Sequence, residues 1–212
     1  SILAGTIARL DRKAPEYGRG NYNDFNTFYL QAASGTSGGS SGSPVVNIEG
    51  QVVALNAGAN NSAASSFFLP LDRIERVLHE LQNGNPVTRG TLQTTFTSEP
   101  YDELRRLGLT DESERIAREA NPGQTGMLTI EQVIPDSPAF EVLAPGDILI
   151  RINGKLVTQF VPLEAILDSH VGEEIEIQVE RGGRRIDTTL RVDNLHAITP
   201  DEYLEFGDGI VN

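Results

Sequence analysis

Ser34-Gly35-Thr36-Ser37-Gly38-Gly39-Ser40-Ser41-Gly42-Ser43-Pro44-Val45-Val46-Asn47 is the stretch on which the fold turns. By composition alone, residues 34–43 read as a flexible linker. The flanks read otherwise. Residues 25–33 carry the strand pattern of Phe25, Phe28, Tyr29 and Leu30, and residues 45–48 and 51–55 flank Glu49-Gly50 as a two-residue hairpin. A Gly-rich segment held between strands shapes a binding or reacting loop. Ser41 lies among small residues that let the backbone turn sharply, so N–H groups can converge on one point. A serine whose own N–H and that of the residue two earlier so converge has the design of an oxyanion hole.

Working outward, residues 2–10 read as a strand already under way at the first residue, which suggests a chain that starts inside a domain. Residues 12–24 are polar, and 65–71 offer a further strand. Residues 72–82 place Ile74, Val77, Leu78 and Leu81 at helical spacing, with Asp72 as the expected N-cap, Glu75 three residues on and Gly84 as the stop. Asn83-Gly84-Asn85-Pro86 then marks a boundary. The expected domains are 1–86, an all-β unit closed by a helix; 87–195, a compact α+β module; and 196–212, a tail leading into a further domain.

In the second module residues 91–96 read as a strand and 99–120 as a charged helical stretch. Asn153-Gly154 reads as a hairpin turn, 163–169 as a short helix, and 174–181 with 184–192 as strands joined at Gly182-Gly183. Leu128, Ile130, Val133, Ile148, Ile150, Ile152, Leu167, Ile175, Ile177 and Val179 alternate as core positions. Gly146, Gly154 and Gly172 read as turn residues, and residues 193–212 fall outside the module's pattern.

The 212 residues carry a net charge of −13, which argues against nucleic acid or an anionic membrane as the main partner. No run reaches the roughly 20 apolar residues needed to span a bilayer. The charge is uneven: residues 1–86 hold 7 acids and 6 bases, and residues 87–212 hold 23 acids and 11 bases. The chain has no cysteine, which removes disulfides, zinc–thiolate sites and thiol catalysis, and fits an intracellular, reducing compartment. The three histidines, His79, His170 and His196, all follow Ser41 and are too scattered to build a metal site. No cofactor is expected.

Tyr29-Leu30-Gln31-Ala32-Ala33, then Gly39-Ser40-Ser41-Gly42-Ser43-Pro44-Val45-Val46-Asn47, with Phe67-Phe68-Leu69-Pro70 downstream, resembles the nucleophile segment of HtrA (Deg) serine proteases. The module from Arg89 onward is similar to the PDZ domain of that family. The Gly-Ser-Ser-Gly-Ser-Pro run, with Ser66-Phe67-Phe68-Leu69-Pro70-Leu71-Asp72, resembles more narrowly the fungal nuclear, pro-apoptotic HtrA-like proteases. The fold so implied is mainly β plus α+β: the second half of a chymotrypsin-like (trypsin-type) β-barrel followed by a PDZ domain.

The resemblance implies Ser41 as nucleophile, with Gly39 and Ser41 as the oxyanion-hole donors. It also implies that Gly35 and the Ser65-Ser66-Phe67 strand border the specificity pocket and pair with substrate backbone. Ser40 and Ser43 replace the family's Asn and Gly, and Ser43 puts a Cβ beside the turn. The PDZ carboxylate loop falls at Thr91-Leu92-Gln93-Thr94, facing Leu163 and Ile166 on the helix. Gln93 and Thr94 break the family's apolar-Gly-apolar loop pattern, so a rigid spacer stands beside a C-terminal-peptide receptor as a reading of this module. Chymotrypsin-type proteases order their triad His, Asp, Ser. The base and its orienting Asp are therefore expected upstream, and the fragment alone is expected to be inactive. The partners implied are protein or peptide substrates and a homo-oligomeric parent, and the roles implied are nuclear, in apoptosis and lipid homeostasis. The competing class is a catalytically dead, protease-like scaffold that binds peptides; an α/β-hydrolase esterase is excluded because a hairpin, not a helix, follows Ser41.

Overall fold

The computed structural model describes residues 2–13, 28–35, 39–60, 65–200, 202, 204–206 and 209–211. Most of the polar stretch, the expected strand start at Phe25, and residues 36–38 of the Gly/Ser loop lie outside them. Two units emerge: 1–87 with Gln159–Val161, and Thr88–Thr158 with Pro162–Asn212.

The first unit contains strands β1 (Ile7–Lys13), β2 (Phe28–Ala32), β3 (Pro44–Val46), β4 (Val52–Asn60) and β5 (Ser65–Pro70), then helix α1 (Leu71–Gln82). The strands form one antiparallel sheet in the order β1-β2-β5-β4-β3. Central β5 is buried at nearly every position, as a strand covered on both faces must be. A small cluster of Ala32, Ala54 and Phe68, with Leu30 and Val45 against it, packs the sheet. Three local expectations change. The first strand begins at Ile7. The turn before β4 runs from Asn47 to Gln51, because the Asn47 carboxamide oxygen accepts from the Glu49 and Gln51 N–H groups at 3.1 and 2.9 Å. Asp72 is not the N-cap: β5 runs straight into α1 through Pro70, and Asp72 sits in the first helical turn, where its charge suits the helix dipole.

The second unit contains β6 (Gly90–Thr91), β7 (Thr94–Pro100), α2 (Tyr101–Leu107), α3 (Asp111–Ala120), β8 (Gly126–Val133), β9 (Ile148–Ile152), β10 (Lys155–Leu156), α4 (Phe160–Ser169), β11 (Glu174–Arg181), β12 (Arg184–Arg191), β13 (Asp193–Asn194), α5 (Leu195–Ile198), β14 (Leu204–Phe206) and β15 (Gly209–Val211). The main sheet runs β12-β11-β9-β8-β7, with β10 folded onto β9. Asn153 (φ +48°) with Gly154 (φ +74°), and Gly182 (φ +54°) with Gly183 (φ +79°), make the two tight turns that sequence expects. The expected core positions are buried except Val133, which is partly open.

The single helix expected over 99–120 is instead a strand end and two helices. Gly108 closes α2 at φ +104°, and a Cβ there would fall 2.4 Å from the Gly183 nitrogen. Thr110 restarts the chain as the cap of α3, accepting from Ser113 N–H, while the buried Glu180 carboxylate accepts from Thr110 N–H, Thr110 Oγ1 and Ser113 Oγ. Residues 193–194 also depart from expectation. They pair with β6, Asp193 opposite Thr91 and Asn194 opposite Gly90, and so belong to the module's own hydrogen bonding.

Candidate active site

Ser43 N–H donates to the Ser40 carbonyl at 3.1 Å, closing a four-residue turn with Ser41 at its corner. Gly42 at the third position holds φ +80°, as a type II turn requires, and Gly39 holds φ +87°. Ser43 has no positive φ, so the serine that replaces the family's glycine carries no left-handed strain; Gly42 takes that conformation. Ser41 is exposed. Among the described residues, neither the Gly39 nor the Ser41 N–H is bonded to a backbone carbonyl, so both donors are free of turn bonding.

The turn is tied to β4 at one residue. Gly42 N–H donates to the Asn56 carbonyl at 2.7 Å, Asn56 N–H to the Ser43 carbonyl at 2.9 Å, and Asn56 Nδ2 to Ser40 Oγ at 3.0 Å. Asn56 is 5 % exposed. Sequence reasoning missed it; the available signal was a carboxamide in the middle of a mostly apolar strand.

Ser65, Ser66 and Phe67 are buried on β5, and the structure brings them to the start of the Gly/Ser loop: Ser66 Oγ donates to the Ser34 carbonyl at 2.6 Å, next to Gly35. Gln31 Nε2 donates to Ser65 Oγ at 3.1 Å. Substrate cannot add as a strand to this segment, because β5 is already paired with β2 on one side (Ala32↔Ser66, Gln31↔Phe67) and with β4 on the other (Ala59↔Ser66, Gly58↔Phe67). That expectation is corrected. The open backbone is on β4, where β3 pairs only as far as Leu55, leaving residues 57–60 bonded on the β5 side alone among the described residues.

In the second unit Leu92, Thr94 and Leu163 are buried and Ile166 is partly so. Gly90 lies hard against α4: its N–H donates to Asp168 Oδ1 at 2.8 Å, and a Cβ there would meet the Leu167 carbonyl oxygen at 2.1 Å. Gln93 holds φ +56° where the family loop has glycine.

His79 Nε2 faces Asn83 Nδ2 at 3.1 Å, His170 Nδ1 faces the Ile166 carbonyl at 2.7 Å, and His196 sits on α5. Among the described residues no group of three or more His, Cys, Asp or Glu is placed to hold a metal. No described helix is long and apolar enough to cross a membrane.

Residues 1–55 match the trypsin-like peptidase domain family and residues 129–181 the PDZ domain family. The chain is 52 % identical over its whole length to Protease Do-like 7 of Arabidopsis thaliana, and 54 % identical over 97 % of its length to pro-apoptotic serine protease NMA111 of Eremothecium gossypii. It joins sequence of the trypsin-like peptidase domain family to sequence of the PDZ domain family. The chain spans about a fifth of the length of these relatives, 20 % and 21 %. Among solved structures, the HtrA-type protease AlgW with a decapeptide superposes with a TM-score of 0.53 at 21 % identity, over 90 % of this chain and 55 % of that one. That likeness is one of fold. The sheet of the first unit is thus read as trypsin-like and the second unit's as PDZ.

Proposed function

We propose that this chain supplies the nucleophile half of a serine endopeptidase. Ser41 attacks the scissile carbonyl, and the Gly39 and Ser41 N–H groups stabilise the developing oxyanion. The unpaired stretch of β4 next to Asn56 takes the substrate backbone as an added strand, beside a pocket bordered by Gly35, Ser65, Ser66 and Phe67. The observation that carries this reading is the 40–43 turn, which holds Ser41 exposed at its corner and is tied to β4 at three points.

A serine is a weak nucleophile without a base in hydrogen-bond reach and a group to orient that base. None of this chain's histidines serves, so His and Asp come from another part of the longer protein. The 212 residues alone are expected to be inactive, as an oxyanion hole and binding contribute only about 10³–10⁴-fold over water. The second unit is a peptide-binding PDZ. The relatives' pro-apoptotic names support a role for the parent in apoptosis, and the family likeness extends the proposal to a nuclear, homo-oligomeric parent and to lipid homeostasis.

Full-length protein treated with a fluorophosphonate probe is expected to label at Ser41, and Ser41→Ala to abolish labelling. Labelling that survives the substitution sinks the assignment. An unreactive Ser41 in the full-length protein favours the second reading, a peptide-binding scaffold.

A further inference from the structure

β7 ends the main sheet of the second unit. It is bonded to β8 along one side, and among the described residues no strand pairs with the other, so its outer edge is open to an added strand. Residues 91–94 decide what such a strand meets at its end. A loop that captures a chain-terminal carboxylate presents successive free N–H groups to the anion. Here the Gln93 N–H turns inward and donates to Thr91 Oγ1 at 2.9 Å, and Thr91 is fully buried.

The backbone is held in that state. A non-glycine residue at φ +56° is costly and persists only where its surroundings over-determine it. The Gln93 carbonyl accepts from Ile134 N–H at 2.9 Å, and Gln93 Nε2 donates to Asp193 Oδ2 at 2.9 Å. Asp193 is itself fixed by the pairing of β13 with β6, opposite Thr91. A carboxylate is thereby built in one side chain away from the loop. The base on the same segment, Arg89, already faces Glu164 at 3.7 Å and Asp168 at 3.5 Å. Residues 87–212 carry 23 acids against 11 bases, so the surrounding field also disfavours an incoming anion.

We propose that the β7 edge takes an internal, extended segment of a polypeptide rather than a chain terminus, with a Lys or Arg of that segment in register with Asp193. This rests on the peptide-binding reading above and commits it to one kind of partner. The loop occupies one of its own donors and sets a fixed negative charge beside it, so a C-terminal carboxylate loses that hydrogen bond and meets a like charge in place of a counter-charge. A cationic side chain finds the Asp193 carboxylate.

The test selects random decapeptides on the full-length protein carrying Ser41→Ala, in two display formats. One format leaves the peptide C-terminus free, and the other embeds the peptide between folded carrier domains. The embedded format is expected to enrich sequences with Lys or Arg at a fixed position. A selected peptide made as free acid and as carboxamide is expected to bind with affinities within about threefold of each other. The double variant Thr91→Val/Asp193→Asn frees the Gln93 N–H and removes the charge, and is expected to raise the acid-to-amide affinity ratio about tenfold. Asp193→Asn alone, which leaves the buried Thr91 in place, is expected to abolish the Lys or Arg preference. Binders from the free-terminus format that lose affinity on amidation overturn the inference while leaving peptide binding intact. An unchanged ratio in a double variant with native hydrogen-exchange protection also overturns it. Enrichment in neither format overturns the peptide-binding reading itself.

Discussion

Removing the Asn56 carboxamide takes away one of three ties on the 40–43 turn and leaves its two backbone ties in place. The turn should survive with a wider range of Ser41 and Gly39 positions. Misplacement of reacting groups by about 1 Å costs on the order of 100-fold in rate. Asn56→Ala in the full-length protein is therefore expected to lower kcat and the fluorophosphonate labelling rate about 10- to 100-fold. KM should change little, because the unpaired backbone of β4 is untouched. Asn56→Asp keeps the shape and accepts a hydrogen bond from the Ser40 hydroxyl, so it should recover much of the labelling rate; equal losses in both variants would assign Asn56 a merely structural part. The residue scale also separates what sequence shows from what it hides. The Ser41 turn was legible because glycine tolerates the positive φ that Gly39 and Gly42 adopt. Gln93 was legible as a departure, since a side chain stands where a left-handed residue is needed. Asn56 was hidden, because its partners lie 13, 14 and 16 residues away and only the folded β4 brings them together.

Between elements, the α2–α3 pair is joined by charge at a buried point. Glu114 on α3 accepts from Arg105 Nη2 at 2.6 Å and Nε at 2.7 Å, and from Arg118 Nε at 2.7 Å, while Arg118 lies 3.9 Å over the Tyr101 ring. The Arg105 hydrogen bond, with Arg118 beside it, holds the Glu114 carboxyl below the ordinary value of 4.5 despite its burial, whereas burial pushes the Tyr101 hydroxyl up. A carboxyl whose folded pKa is depressed contributes stability above its unfolded value and loses it as pH falls through the folded one. Urea unfolding from pH 7 to pH 3 is expected to show wild type losing more stability below pH 4.5 than Glu114→Gln. The difference at neutral pH should be about 1 kcal/mol, since both guanidinium groups are half-exposed and screened. Parallel pH profiles would remove Glu114 from the acid response. The helix pair could not be read as two elements from the charged run over 99–120. The break depends on Gly108 approaching Gly183 and on Glu180 capping from β11, both long-range events. The two-residue pairing of β13 with β6 was invisible for the same reason, while the Asn153-Gly154 and Gly182-Gly183 turns, which are local, were read correctly.

Across the whole chain the two units differ in the apolar surface that their described residues bury. In the first, Phe28, Tyr29, Ala32, Ala54, Phe67 and Phe68 are buried, while Leu10, Val46, Ile48 and Leu81 are each more than half exposed. In the second, Tyr101, Leu104, Leu109, Met127, Ile148 and Ile150 form a single buried cluster. Each large apolar side chain fully buried contributes about 1.5–3 kcal/mol, so the second unit should be the more stable by at least one such residue. For a domain of this size, 1 kcal/mol moves the midpoint by about 4–8 °C, which puts the transitions roughly 10 °C apart. Calorimetry of the 212-residue chain should therefore show two transitions, with a van't Hoff enthalpy below the calorimetric one. Charge identifies which is which. Raising salt from 10 to 150 mM shortens the screening length from about 30 to about 8 Å. That relieves the long-range repulsion of a unit with 23 acids and 11 bases, and leaves a unit with 7 and 6 almost unaffected. Its described ion pairs, at 2.6–3.7 Å, lie well inside the screening length at either salt and oppose the gain only weakly. The upper transition should move up with salt while the lower one stays; a single transition, or a salt-sensitive lower one, would show that the stability of the two halves is not divided in this way.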